Sequence, residues 1–373
     1  IIGLSGLLVK SAQQMVVTVQ DLKAATIQCP ILVGGAALSP RFTANKIAPA
    51  YDGLVCYAND AMVGLDLANK IVDEEKRATL LEALKRERAS LVSPQTITHA
   101  RPKKAVMPVS ISHEKEAPLP PDLRQHVLDD FDLEAVFSYL NPAMLYGKHL
   151  GLKGNLQKLL EAGNVKAIEL HEQVQSIIEE VISKKLVSAC GIYKFFRASG
   201  EGDNLHIYSS NGTKVVETFL FPRQAHGAGL CLSDFVSPAR DEARDYVAAF
   251  AVTCGHGVRE LAEKYREKGQ YLRSHIVQAL AIEGAEAFAE LIHERIRRMW
   301  GFADPPELTI ADRFKAKYRG ARMSFGYPAC PRLEDQERLF GILPITQSIG
   351  VELTEGYMMA PEASVSALVF HHR

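Results

Sequence analysis

Apolar and polar positions along the first ninety residues alternate between two periods. An opening apolar run, IIGLSGLLV, gives way to helical spacing from about Ser11 to Ile27. PILVGG follows, then a second helical stretch from about Pro40 to Ala48, the run GLVCYAN, and a long helix that starts at Asp60. Short β-branched runs separated by amphipathic helices predict βαβ units and a parallel sheet. The last helix becomes heavily charged through IVDEEKRATLLEALKRERASL and breaks into SPQTITHARPKKAVMPVS, whose prolines, polar residues and basic cluster predict a linker.

Beyond the linker the order changes. PLPPDLRQHVLDDFDLEAVFSYL opens a second domain, a helical stretch from about Leu156 to Lys185 follows, and CGIYKFFRA reads as a strand. NLHIYSSNGTKVVETFLF reads as a hairpin turning at Asn211-Gly212. DYVAAFAVTCG is a further strand, Glu260 to Trp300 a helical hairpin, and SVSALVFHH a late strand. Helices and strands that do not strictly alternate predict an α+β domain with an antiparallel sheet. The boundaries are 1–92, linker 93–115 and 116–373.

Composition narrows the function classes. The 373 residues carry 43 Lys plus Arg against 44 Asp plus Glu, so no net field draws nucleic acid or an anionic membrane. The opening apolar run is too short to span a bilayer. Six cysteines without a C-x-x-C pair suggest neither a zinc site nor a disulfide framework, and fit a reducing cytoplasm. The chain starts inside a strand without an initiator methionine and stops at FHHR, as expected of a piece of a longer protein.

Two constellations carry candidate chemistry. The first is the small residues at strand ends, Ser5-Gly6 and Gly34-Gly35-Ala36-Ala37, where a parallel sheet opens its ligand crevice and bare backbone lets a bulky group approach. A nicotinamide site is disfavoured because no G-x-G-x-x-G is present. The second is the stretch from Tyr318 to Pro331, YRGARMSFGYPACP. Arg322 suits a planar carboxylate, Gly326 permits close backbone approach, and Tyr327 offers a flat face or a hydroxyl. Glu286, Glu290 and His293 share one helical face, but a di-metal site needs a second matching helix and none is visible, so no metal is assigned. Cys330 lies between prolines with no histidine nearby as a base and reads as structural.

IIGLSGLLVKSAQQM with PILVGGAALSPRFTANKIAPAY resembles the second half of the cobalamin-binding domain of the cobalamin-dependent methionine synthases. R-x-x-x-G-Y-P-A-C-P, with NPAMLYGKHLGLKGN, CLSDFVSP, YVAAFAVTCG and EGAEAFAELIHERIRRMWGF, resembles their S-adenosylmethionine-binding activation domain. The resemblance implies an incomplete, flavodoxin-like first domain and a C-terminally incomplete second one. It implies that Ser5, Gly6, Gly34, Gly35 and Ala36 line the nucleotide tail of cobalamin. Asp234, Glu286, Arg322, Ser324, Gly326 and Tyr327 would hold S-adenosylmethionine. Ala316, Leu333 and Val369 depart from residues common in relatives. The family's cobalt-ligating D-x-H-x-x-G motif is absent; Gln224-Ala225-His226-Gly227-Ala228-Gly229 lacks its aspartate. The implied function is methyl transfer from methyltetrahydrofolate to homocysteine through methylcobalamin, in the cytoplasm. Upstream modules would supply homocysteine (with its zinc) and folate. This piece would support reductive methylation of inactive cob(II)alamin with an electron from a flavodoxin-type donor. The alternative is a non-catalytic module that binds S-adenosylmethionine or cobalamin, or docks a redox partner.

Overall fold

In the computed structural model, which describes residues 1–6, 9–35, 38–92, 117–224, 229–238 and 245–372, three short parallel strands begin the chain. These are β1 (Ile2–Ser5), β2 (Ile31–Gly34) and β3 (Val55–Ala58), ordered β1-β2-β3. Side chains alternate across β2 and β3 as a pleated strand requires. Ile31, Val33 and Val55 pack with Ala12, Met15 and Val19 of helix α1 (Val9–Ala24), whereas Cys56 packs with Ile71 of α2 (Ala61–Val72). Helices therefore cover both faces, and this explains why the strands read as unbroken apolar runs. Asp60 caps α2 by accepting from the Val63 N–H. The long helix expected from Asp60 breaks at Asp73, and α3 (Glu74–Val92) follows. The linker placed at 93–115 lies outside the described residues.

The later part is built on a seven-stranded sheet. Its strands are β4 (Gln125–Phe131), β5 (Ser188–Glu201), β6 (Asn204–Tyr208), β7 (Val215–Leu220), β8 (Asp245–His256), β9 (Ala321–Met323) and β10 (Ser364–Phe370). The order is β7-β6-β5-β8-β10-β9, these strands pair antiparallel, and β4 pairs the first half of β5. The expected hairpin turns at Gly212, at φ +77°.

Both faces of this sheet are buried, which is why the middle of β8, Tyr246 to Val252, is an unbroken apolar run. Tyr246, Ala248, Phe250, Val252 and Cys254 point into one core, and Val247, Ala249 and Ala251 into the other. The first core lies under α5 (Val165–Ser183), α6 (Val258–Glu267) and α7 (Tyr271–Met299), together with the short α4 (Leu133–Phe137). The second lies under α8 (Asp335–Ile342) and α9 (Ile345–Ile349). The expected helical stretch near 156–185 is interrupted at Gly163 (φ +67°), and Asn164 caps α5. By contacts the chain divides into a unit of Ile1–Ala105 with Leu353–Met358 and a unit of Val106–Glu352 with Met359–Arg373. Among the described residues no helix is long and apolar enough to cross a membrane.

Candidate functional site

The small residues of the first unit are brought together at the ends of β1 and β2. The Gly6 N–H donates to the Gly34 carbonyl at 2.9 Å. A Cβ on Gly34 would stand 2.7 Å from the Ala58 carbonyl oxygen, and one on Gly35, at φ +108°, would strike the Gly6 backbone. Strand crowding alone therefore requires glycine at both positions, while leaving Ser5 exposed at the rim. Ala36 lies outside the described residues, as do residues 225–228 of the histidine-glycine string.

In the second unit, β9 is three residues long and exists because β10 supplies its register, Leu368 to Met323, Val369 to Arg322 and Phe370 to Ala321. Val369 itself points into the first core. Arg322 thereby faces α7, whose Glu286, Glu290, His293 and Arg297 recur at helical spacing as a single stripe. The Arg322 Nη2 lies 3.6 Å from Glu290 Oε2 and 3.9 Å from Glu286 Oε2. Glu286 is half exposed and Glu290 only 8% exposed, so the stripe runs from the surface inward. Arg322 Nη1 is buried and has no hydrogen-bond partner among the described residues. A guanidinium so placed, with a carboxylate at the surface beside it, complements a ligand carrying both a carboxylate and a cation.

Deeper in the stripe, Arg297 is gripped by Asp304 through two hydrogen bonds of 2.6 Å and lies 3.9 Å above the Tyr318 ring. Arg313 also donates to Asp304, at 3.2 Å. Burial alone would raise the Asp304 pKa, but the Arg297 hydrogen bonds prevail and hold it below the usual carboxylate range. Burial pushes Glu290 up against the pull of Arg322 and Arg297. His293 is fully buried, and its pKa falls well below the usual value through burial and then the Arg297 and Arg322 charges, so its ring is neutral. The three residues whose spacing had raised the question of a metal do share a face; their neighbours are arginines. Among the described residues no cluster that could hold a metal ion is found.

The loop after β9 closes on itself. Gly326, at φ +90°, donates from its N–H to the Cys330 carbonyl at 2.9 Å, and the Cys330 N–H returns to the Tyr327 carbonyl at 2.9 Å. The Cys330 Sγ donates to the Ser324 carbonyl at 2.8 Å, and burial pushes its thiol pKa up to about 12, so it is a structural thiol. Phe325 is buried against Phe219, whereas Tyr327 stands 62% exposed. Leu333 backs the loop, its Cδ1 3.1 Å from where a Gly326 Cβ would sit. Ala316 precedes it in left-handed conformation at φ +51°.

Arg322 and Glu286 are thus brought together, and Ser324, Gly326 and Tyr327 follow in the same loop. Asp234 is engaged elsewhere. Its two oxygens accept from Arg223 at 2.6 and 2.9 Å and from the Cys231 N–H at 2.8 Å, in a turn whose Leu232 and Val236 pack into the second core. Sequence reasoning missed Arg297, Asp304 and Arg313, and included Tyr318 only as the start of the candidate loop; the one usable signal was the spacing of Arg297 from Glu290 and His293. The site offers anchors and no activated nucleophile, since His293 is neutral and Cys330 is protonated.

Residues 132–373, well over half of the chain, match the family described as vitamin B12 dependent methionine synthase, activation domain. A solved structure, described as the crystal structure of the MetH reactivation domain bound to AdoHcy, is similar at 29% identity and a TM-score of 0.65. The similarity covers 70% of this chain and 83% of that one.

Proposed function

Because this chain belongs to the family of the vitamin B12-dependent methionine synthase activation domain, we propose that its second unit binds S-adenosylmethionine at the Arg322 loop and serves the reductive methylation that returns inactive cob(II)alamin to use. The observation that carries this reading is the Arg322 guanidinium, whose buried Nη1 has no hydrogen-bond partner among the described residues, beside the half-exposed carboxylate of Glu286. The solved relative holds S-adenosylhomocysteine, the demethylated form of the same ligand.

In this reading Arg322 grips the ligand carboxylate and Glu286 faces its ammonium. Gly326 admits the ligand to the backbone of the loop, and Ser324 and the exposed Tyr327 complete the wall. Asp234, whose oxygens are held by Arg223 in its own turn, is the further acidic position assigned to the ligand. The protein contributes orientation and exclusion of water. Cobalamin, when bound, supplies the nucleophilic metal centre that accepts a methyl group. The first unit, taken as 1–92 and half of a flavodoxin-like domain, fits the nucleotide tail of that cofactor at Ser5, Gly6, Gly34, Gly35 and Ala36.

The wider assignment follows the family: a methyltransferase of methionine biosynthesis in the cytoplasm, with homocysteine and folate modules and a flavodoxin-type electron donor as partners. All six cysteines are thiols, in keeping with a reducing compartment. A second reading is a non-catalytic module that senses S-adenosylmethionine or cobalamin, or docks a redox partner. Soaking or co-crystallising the protein with S-adenosylhomocysteine tests the site: density is expected across Arg322, Glu286 and the 324–327 loop. Density confined to another place would remove the assignment.

A further inference from the structure

The Arg322 guanidinium is held in an unusual way. Its Nη2 lies near two carboxylates, yet 3.6 and 3.9 Å are too long for good hydrogen bonds, and among the described residues Nη1 makes none. What fixes it is charge arranged in depth. Glu290 sits between two guanidinium groups, Oε2 at 3.6 Å from Arg322 and Oε1 at 4.0 Å from Arg297. Arg297 is clamped in turn by Asp304 and stacked on Tyr318. The alternating chain Asp304, Arg297, Glu290, Arg322 runs from a fully anchored core pair to the loop. Five atoms along it remain buried without a hydrogen-bond partner among the described residues: Glu290 Oε1, both ring nitrogens of His293, Arg297 Nη1 and Arg322 Nη1. Unsatisfied buried polar atoms are costly, and a concentration of them marks a place where stability has been given up for orientation.

We propose that Glu290 is a positioning residue, holding Arg322 through the Asp304–Arg297 anchor so that Nη1 is presented to the carboxylate of an amino-acid-bearing ligand. The proposal rests on the reading of Arg322 as the carboxylate anchor. Glu290 is 8% exposed and acts through Arg322; Glu286, half exposed one turn earlier on α7, is the residue left to meet the ligand. The division of labour follows from exposure: the surface carboxylate is available to a cation, and the buried one is spent on the arginine.

The test compares S-adenosylhomocysteine with its decarboxylated form, which keeps the ammonium and loses only the carboxylate, by calorimetric titration of the full chain and of Glu290→Gln. Glu290→Gln should weaken S-adenosylhomocysteine about tenfold, the scale of losing a group that orients a binding residue. The decarboxylated ligand should be unaffected within about twofold. Equal weakening of both ligands would reduce Glu290 to a packing role and overturn the proposal, as would no effect on either. Glu290→Asp keeps the charge on a shorter arm and should restore part of the carboxylate preference; it serves the same comparison if the glutamine variant does not fold. A parent chain that binds neither ligand would overturn the Arg322 reading and this proposal together. A parent that binds with Glu290→Gln unchanged would overturn the positioning role alone.

Discussion

Asp304→Asn should be among the most damaging single substitutions of a charge in the second unit. Arg297 is fully buried and Asp304 is 4% exposed, so neither charge has water to fall back on. The two 2.6 Å hydrogen bonds pair a guanidinium edge with both carboxylate oxygens, and Arg313 adds a third at 3.2 Å. Asparagine keeps one acceptor but turns an NH2 toward the guanidinium, so a donor faces a donor and two arginines lose their common counter-charge. Breaking a buried pair from one side costs about 3–5 kcal/mol. For a unit of this size that lowers the melting temperature by about 6–20 °C, at roughly 2–4 °C per kcal/mol. Urea and thermal unfolding followed by circular dichroism would measure it. Asp304→Asn/Arg297→Met, which also removes the stranded charge, should be more stable than Asp304→Asn alone, because Arg313 lies closer to solvent. A loss below about 1 kcal/mol, or a double variant worse than the single, would refute the claim that this pair is the anchor.

Three further outcomes follow from the same geometry. Gly326→Ala should cost about 1–2 kcal/mol by unfolding titration, since φ is +90° and the new Cβ would stand 3.1 Å from Leu333 Cδ1; pairing it with Leu333→Ala relieves the contact and leaves the backbone strain. Cys330 should resist a thiol reagent at pH 8 in the folded protein and react on unfolding, with partly exposed Cys29 modified first; rapid labelling of native Cys330 would contradict its burial. The Glu180 carboxyl is lowered from 4.5 to about 2 by hydrogen bonds from Tyr265 and Lys184, joined by Arg273. A depressed folded-state pKa gives stability that is complete above pH 4.5 and lost as pH falls toward 2, so Glu180→Gln should flatten that acid limb, and an unchanged limb would count against the network.

The sheets were legible in the sequence wherever burial wrote a pattern. β8 is apolar from Tyr246 through Val252 because both its faces are covered, and Asn211-Gly212 announced its hairpin. β4 was not, since QHVLDDF carries three ionisable residues and owes its pairing to β5. β9 is too short for any period to show, and its pairing with β10 is what turns Arg322 toward α7. The loop from Tyr318 to Pro331 stood out because its R-x-x-x-G-Y-P-A-C-P string resembles a family motif; its arginines, glycines and prolines by themselves suit a rigid surface loop equally well. Arg297 and Asp304 did not, because charges on and after a helix read as solvated, and only the tertiary structure shows them buried. The break at Asp73 has no glycine or proline to mark it.

The central claim is that Arg322 anchors an amino-acid-bearing nucleoside ligand, and calorimetric titration with S-adenosylmethionine, beside Arg322→Ala, tests it most directly. The account predicts saturable one-site binding by the parent and a loss of about 1.5–3 kcal/mol in the variant, the worth of hydrogen bonds to a charged group and roughly a ten- to hundredfold fall in affinity. Binding that survives Arg322→Ala unchanged would contradict it.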